Sequence, residues 1–402
     1  MRAAGIIVEY NPLHCGHVHL LRQTRRLLGE DCAIICAMSG DFVQRGDFAL
    51  LNRRARARAA VESGADLVLE LPLPWAVASA ERFADGGVQT LLSTGLVTHL
   101  AFGSECGDAA ALMDAARALE HPEFPALLKK TLSNGVSFAA ARQNALECLL
   151  GQHAAALLSS PNNTLGIEYC RALVRRGSSV IPVTIPRLGA GHDEKTAVEG
   201  FASGSAIRSL LRAGQRAEAL SLMAPAMVRA YLEEEAAGRA PVFSETLERA
   251  ILARLRAMTE EDFAILDESR EGLYHRLYQA SRTARSVEEF LQTAKTKRYA
   301  YARLRRMVLW AYLGLDPRAF PAEAAYLRPL AANETGRALL GKMRKTASLP
   351  ILTKSADVRR LGKEAQELFT LEARAADLYS LGYPDLAAAA PERLWKEGPT
   401  LL

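Results

Sequence analysis

The sequence has no unbroken apolar stretch approaching the roughly 18 residues that a membrane-spanning helix needs, so no membrane segment is expected. Near its start Arg2 is followed by a short apolar run, but Glu9 interrupts that run and no cleavage-type segment follows. A secretory leader is therefore not expected, and the protein is read as cytoplasmic. Six cysteines, at 15, 32, 36, 106, 148 and 170, never form a Cys-x-x-Cys pair. That scatter argues against a disulfide framework and a structural zinc cluster, and leaves reduced thiols. Aromatic residues are scarce at 6%, while 49% apolar and 24% charged residues give the balance of an ordinary globular chain. No internal repeat or low-complexity tract stands out. Lys and Arg number 50 against 45 Asp and Glu, and a net +5 is too small to identify a polyanionic partner without its distribution.

What is present is a change of pattern along 402 residues, a length that suggests two or three domains. Short β-branched or apolar runs at Gly5–Glu9, Cys32–Met38, Asp66–Leu71, Thr98–Phe102 and Val180–Thr184 alternate with helical periodicity such as Leu20, Leu21, Thr24, Leu27 and Leu28. Near-continuous apolar strands separated by helices predict a parallel sheet covered on both faces, a Rossmann-like, doubly wound α/β core. After about residue 215 the strand signals fade and helical patterns dominate, with Leu247, Ile251, Leu252 and Leu255 on one face and a capping box at Ser286 and Glu289. The expected division is a catalytic domain over 1–215 and a mainly α-helical region over 216–402.

At the end of the first predicted strand stands VEYNPLHCGHVHLL, Val8 to Leu21. A zinc reading of His14 and His17 lacks about two further ligands. A bland reading makes them the start of a helix after Asn11 and Pro12. The context favours a third reading. A strand, a turn and then His14-x-Gly16-His17 opening an amphipathic helix place backbone N–H groups and imidazole donors where an open α/β sheet binds anions. Gly16 permits close approach of a ligand to the backbone. Such donors suit adenylyl transfer, in which charge grows on the α-phosphate and on departing pyrophosphate, and no serine or cysteine nucleophile is needed.

The His-x-Gly-His arrangement resembles the signature of the nucleotidyltransferase superfamily. Ser203-Gly204-Ser205-Ala206-Ile207-Arg208 resembles its second motif, which sets hydroxyls and an arginine on the β- and γ-phosphates; the plain alternative is a helix N-cap and a surface arginine. Further segments follow in order: GIIVEYNPLHCGH, MSGDFVQRG (38–46), GADLVLELP (64–72), FGSE (102–105), SPNNTLGIEY (160–169), GSAIR and KTKRYAYARLRR (295–306). Together they are similar to the bacterial tRNA(Met) cytidine acetate ligase family from the N-terminus to beyond residue 310.

That resemblance implies an ATP-dependent, Mg2+-assisted ligase. It would activate acetate as acetyl-adenylate and pass the acetyl group to N4 of the wobble cytidine of elongator tRNA(Met). The implied ATP site comprises Ile7, Val8, Glu9, Tyr10, Asn11, Pro12, Leu13, His14, Cys15, Gly16, His17, Val18, His19 and Leu20, with Gly103, Asn162 and Arg187, and with Ser203, Ser205 and Arg208 from the second motif. His14 and His17 would face the phosphates. Asn162 would bond base or ribose, or merely cap a turn, and whether it or Asn163 points inward stays open. Arg187, ahead of Gly189 and Gly191, would reach phosphate or lie in solvent. The loop Ser39, Gly40, Asp41, Gln44 and Arg45 would select acetate or admit the cytidine: Asp41 would orient the acceptor amine, accept its proton or merely cap a turn, and Arg45 would pair with a carboxylate or RNA phosphate. Arg53, where relatives carry lysine, puts any phosphate role there in doubt.

For RNA, Lys295, Lys297, Arg298, Arg303, Arg305 and Arg306 carry positive charge without an intervening acid, and Tyr299 and Tyr301 offer faces for unpaired bases. The alternatives are a small-molecule nucleotidyltransferase and a noncatalytic RNA-binding protein with a vestigial nucleotide site.

Overall fold

The computed structural model describes residues 2–133, 136–187, 202–267 and 272–402. Gly189 and Gly191 lie outside them. Strand β1 (Ala3–Val8) is followed by helix α1 (Cys15–Leu28) and β2 (Ala33–Ser39). A two-stranded hairpin of β3 (Phe42–Val43) and β4 (Asp47–Phe48) precedes helix α2 (Arg53–Glu62) and β5 (Leu67–Leu71). Helix α3 (Ala80–Leu92), β6 (His99–Ser104), helix α4 (Pro161–Arg175) and β7 (Ile181–Pro186) complete the alternating part. All five strands expected from the apolar runs are present, displaced by a residue or two at their ends.

These five strands pair in parallel in the order β7-β6-β1-β2-β5, so the winding reverses between β1 and β6. Successive residues of each strand point to opposite faces, and both faces are covered. Ile7, Ile35 and Leu69 pack against α3, α4 and a further helix, Glu334–Thr346. Ile6, Ile34 and Val68 pack against α1 and α2. Each such side chain taken fully out of water contributes about 1.5–3 kcal/mol, which is why the runs are apolar on every residue.

Beyond residue 215 the chain is mainly helical, as expected, but it returns to the sheet. Strand β8 (Pro329–Ala332) lies antiparallel to β5, and β9 (Thr400–Leu401) pairs with β8. The sequence hid both: β9 is two residues long, and β8 begins with a proline, which strands tolerate only at their first residue or at an edge. Helix α5 (Gly204–Arg212) packs on the α1 face of the sheet. A separate helical core is built by α6 (Glu248–Ala257), α7 (Val287–Ala294) and α8 (Tyr301–Leu313), joined by Phe42 and Phe48 of the hairpin. The Trp310 Nε1–H donates to the Val77 carbonyl at 3.0 Å, tying α8 to the sheet-bearing part. No helix among the described residues is long and apolar enough to cross a membrane.

Candidate nucleotide site

A cavity of about 290 Å³ opens at the carboxyl ends of β1 and β6, where the strand order reverses. This is the crevice in which open α/β sheets bind ligands. Its wall contains Ile7, Val8, Glu9, His14, Gly16, His17, His19, Leu20, Arg45, Gly103, Asn162, Arg187 and Ser203, all expected from the sequence.

The two histidines are fixed by the helix they begin. The His14 Nδ1 accepts the Gly16 N–H at 3.1 Å, and the His17 Nδ1 accepts the His14 N–H at 3.3 Å, so the pair closes a reciprocal cap on α1. Their rings stack with centroids 3.8 Å apart. An Nδ1 that accepts a backbone N–H carries no proton, which assigns the proton of a neutral ring to Nε2. Both neutral rings therefore carry their proton on Nε2 and line the cavity beside the positive end of a helix, a place that attracts anions. Tyr10, behind them, is held in the left-handed region at φ 49° and its hydroxyl meets the Cys36 sulfur at 3.6 Å.

Asn11 explains how the turn is held. Its Oδ1 accepts the Leu50 N–H at 2.7 Å, and the start of α5 rests on its carbonyl. A Cβ at Gly204 would sit 2.7 Å from the Asn11 oxygen, so the second motif needs glycine there to pack against the first.

Behind the opposite wall, burial works against ionisation of Glu105, yet hydrogen bonds from Asn162 and Asn163 hold its carboxyl below the usual range. The Asn162 Nδ2 donates to it at 2.6 Å, and the Asn162 Oδ1 accepts from the Arg187 Nη1 at 3.1 Å. Asn163 is buried, and its Oδ1 accepts the N–H groups of Glu105 and Cys106. Asn162 thus faces the cavity and Asn163 supports the loop. Burial also pushes the Arg187 guanidinium below its ordinary range.

Among the described residues Glu9 is the one acidic side chain of the wall. Burial pushes its carboxyl upward, opposed by the Gln44 N–H and by the nearby charges of Arg208, Arg45 and Arg56. The apolar part of the wall, Phe83, Phe102, Leu165, Tyr169 and Ile185, was missed as a ligand surface. Phe102 and Tyr169 do fall in the FGSE and SPNNTLGIEY segments, where they read as core.

Several expected residues lie elsewhere. Tyr10 and Leu13 are buried behind the cavity, Asn11 and Pro12 form the turn, Val18 faces the α1 core, and Cys15 and Ser205 are exposed. Ser203 lines the cavity and also caps α5, its hydroxyl accepting the Ala206 N–H at 3.1 Å. Arg208 does not reach the cavity: its Nη2 lies 3.0 Å from the Asp47 Oδ2. Asp41 is turned inward, accepting from the Arg53 N–H at 2.7 Å and pairing with its guanidinium. Arg53 also meets Glu70 at 2.9 Å, so both residues belong to a buried charge network rather than to phosphate or acceptor.

The basic tract divides in two. Lys295, Lys297 and Arg298 are exposed. Arg303 pairs with Asp267 at 3.0 Å, Arg305 with Asp47 at 3.1 Å, and Arg306 donates to the Gln44 carbonyl. Tyr299 corrects the expectation of a base platform: it is 5% exposed, inside the helical core with the Arg303 guanidinium over its ring. Tyr301 is half-buried and donates to Glu288 at 2.5 Å.

The fold, the strand-end crevice and the paired histidines define a nucleotidyl transferase: the model of the HIGH Nucleotidyl Transferase family matches residues 1–393. The protein from Acetivibrio thermocellus named tRNA(Met) cytidine acetate ligase is 37% identical, over 96% of each chain, and that from Syntrophomonas wolfei 35%, over 99% of each. The crystal structure of Thermotoga maritima TmcAL without ligand superposes with a TM-score of 0.95 at 32% identity, and the form bound with alpha-thio ATP with 0.92 at 33%, each covering both chains fully. The chain belongs to the tRNA(Met) cytidine acetate ligase family.

Proposed function

We propose that the protein condenses acetate with ATP and transfers the acetyl group to N4 of the wobble cytidine of elongator tRNA(Met). In the first step an acetate oxygen attacks the α-phosphorus, the bond to pyrophosphate breaks, and acetyl-adenylate forms. In the second the N4 amine attacks the acetyl carbonyl carbon, the carbon–oxygen bond to AMP breaks, and the amine gives up one proton to solvent. The reading is carried by His14 and His17 at the head of α1, which line the crevice at the carboxyl ends of β1 and β6. Donors already in place stabilise charge as it develops on the transferring phosphoryl group. Arg45 and Arg187 add positive charge to the same wall, and Phe102 and Tyr169 offer apolar surface to an adenine ring.

Among the described residues no group of three or more His, Cys, Asp or Glu makes a metal cage. That suits Mg2+, which keeps its waters and binds through phosphates with one or two carboxylates, and Glu9 is the carboxylate in reach. Bound there, the ion would neutralise phosphate charge.

Residues 216–402 would hold the RNA, with Lys295, Lys297 and Arg298 neutralising its phosphates, and a tRNA substrate supports a cytoplasmic reaction. Incubation with labelled acetate, ATP, Mg2+ and tRNA(Met) tests the reading. Label in N4-acetylcytidine is expected; label that appears only with a nucleotide precursor and no RNA would support a small-molecule nucleotidyltransferase instead.

A further inference from the structure

A second cavity, also about 290 Å³, lies between the β3–β4 hairpin, α5 and the helical core. The two cavities share their dividing wall. In the hairpin, Gln44 and Arg45 face the first cavity, while Gly46, Asp47 and Phe48 face the second. On α5 and its cap, Ser203 faces the first, and Arg208 and Arg212 the second. The remaining wall comes from α6, α7 and α8 and includes Glu248, Glu288, Tyr301, Arg305 and Tyr312.

The chemistry of this cavity is unlike that of the first. At its inner end the Asp47 Oδ2 lies 3.0 Å from Arg208 and 3.1 Å from Arg305, so a carboxylate and two guanidinium groups stand side by side. Phe48, Tyr301 and Tyr312 supply ring surface. Arg208 is almost wholly enclosed, and its Nε is a buried donor with no hydrogen-bond partner among the described residues. A buried donor left unmet is costly, so a ligand that accepts from it recovers that cost.

Resting on the acetyl-transfer reading, we propose that this cavity receives the acceptor cytosine, swung out of its loop, with Asp47 accepting from the N4 amine and Arg208 donating to N3 or O2. Cytosine presents a donor followed by two acceptors along its pairing edge, which complements a carboxylate beside a guanidinium. Uracil presents oxygen where cytosine has the amine, so its edge sets like against like at Asp47. The amine edge then lies at the wall shared with the nucleotide cavity, which is where an acetyl acceptor must be. Asp47 thereby takes the place that the sequence suggested for Asp41.

The test uses the full-length protein and two anticodon stem–loops that differ only in cytidine or uridine at the wobble position. The native protein is expected to bind the cytidine form about tenfold or more tightly. Asp47→Asn, and independently Ser244→Trp, which blocks the cavity from its rim, should bring that ratio near one. Acetate-dependent ATP–pyrophosphate exchange should persist in Ser244→Trp. A folded Ser244→Trp variant that keeps the tenfold preference, or that loses exchange together with the preference, overturns the proposal. Native protein without acetate-dependent exchange would instead count against the acetyl-adenylate reading itself.

Discussion

His14 and His17 each serve the helix and the cavity at once, and the two duties separate by substitution. His14→Ala removes the side chain that caps α1 and should cost about 1 kcal/mol of stability, whereas His14→Asn restores a good cap. Both should lower acetate-dependent pyrophosphate exchange about 100-fold or more, because neither retains the Nε2–H donor. If His14→Asn melts like the native protein and also exchanges like it, the ring has no role in the chemistry. His17→Ala should lower exchange similarly and leave RNA affinity unchanged in a filter-binding assay.

Glu9 gives a pH signature. Its carboxyl is raised chiefly by burial, so its favourable contribution to folding is present below the unfolded value and is lost as pH rises through the folded one. Above its folded value the native protein without ligand carries a buried carboxylate that Glu9→Gln lacks. The variant should melt higher at pH above the folded value, and the gap should narrow as pH falls through that value. The same substitution should weaken binding of ATP in the presence of Mg2+. A melting difference independent of pH would show that the carboxyl titrates normally.

At the scale of elements, the hairpin is the piece most exposed to small changes. Gly46 has φ +75°, and a Cβ there would lie 2.4 Å from the backbone nitrogen of Arg306. Two costs coincide: a left-handed conformation, and a collision with the first turns of α8 that only a backbone shift relieves. Gly46→Ala is expected to cost about 1–3 kcal/mol in a denaturant melt and to lower adenylate formation, since Gln44 and Arg45 ride on the same turn. A variant with native stability and exchange would mean that hairpin and helix part without consequence.

At the scale of the whole molecule, the basic tract is two structures. Replacing exposed Lys295, Lys297 and Arg298 with alanine should weaken tRNA binding, reduce the slope of log affinity against log salt by about one per lost phosphate contact, and spare adenylate formation. Arg305→Ala with Arg306→Ala removes contacts to Asp47 and Gln44, so it should lower thermal stability and exchange as well as RNA affinity. Loss of RNA affinity alone in the second pair would mean that those arginines act on RNA directly, as their place in the sequence suggests.

How much of this was legible in the chain follows a physical line. The five parallel strands and the histidine pair at the helix start were readable, because alternation and helix onset are local properties, whereas Gly103, Asn162 and Arg187 were placed by the family resemblance and do line the cavity. Strands β8 and β9 were not, since their pairing is decided by partners hundreds of residues away and their own lengths are too short to show a period. Charged residues were the hardest to place. Asp41, Asp47, Arg208 and Arg305 look alike in sequence, and only the packing of the hairpin between α5 and α8 settles that Asp41 turns in upon Arg53 while Asp47 gathers one arginine from each half. The sequence by itself determined the parallel sheet and the donor-lined start of α1, because backbone periodicity and capping act within a few residues. Tertiary structure alone decided which charges meet each other and which meet solvent, because a guanidinium reaches several ångströms and pairs with whatever carboxylate the fold brings within that reach.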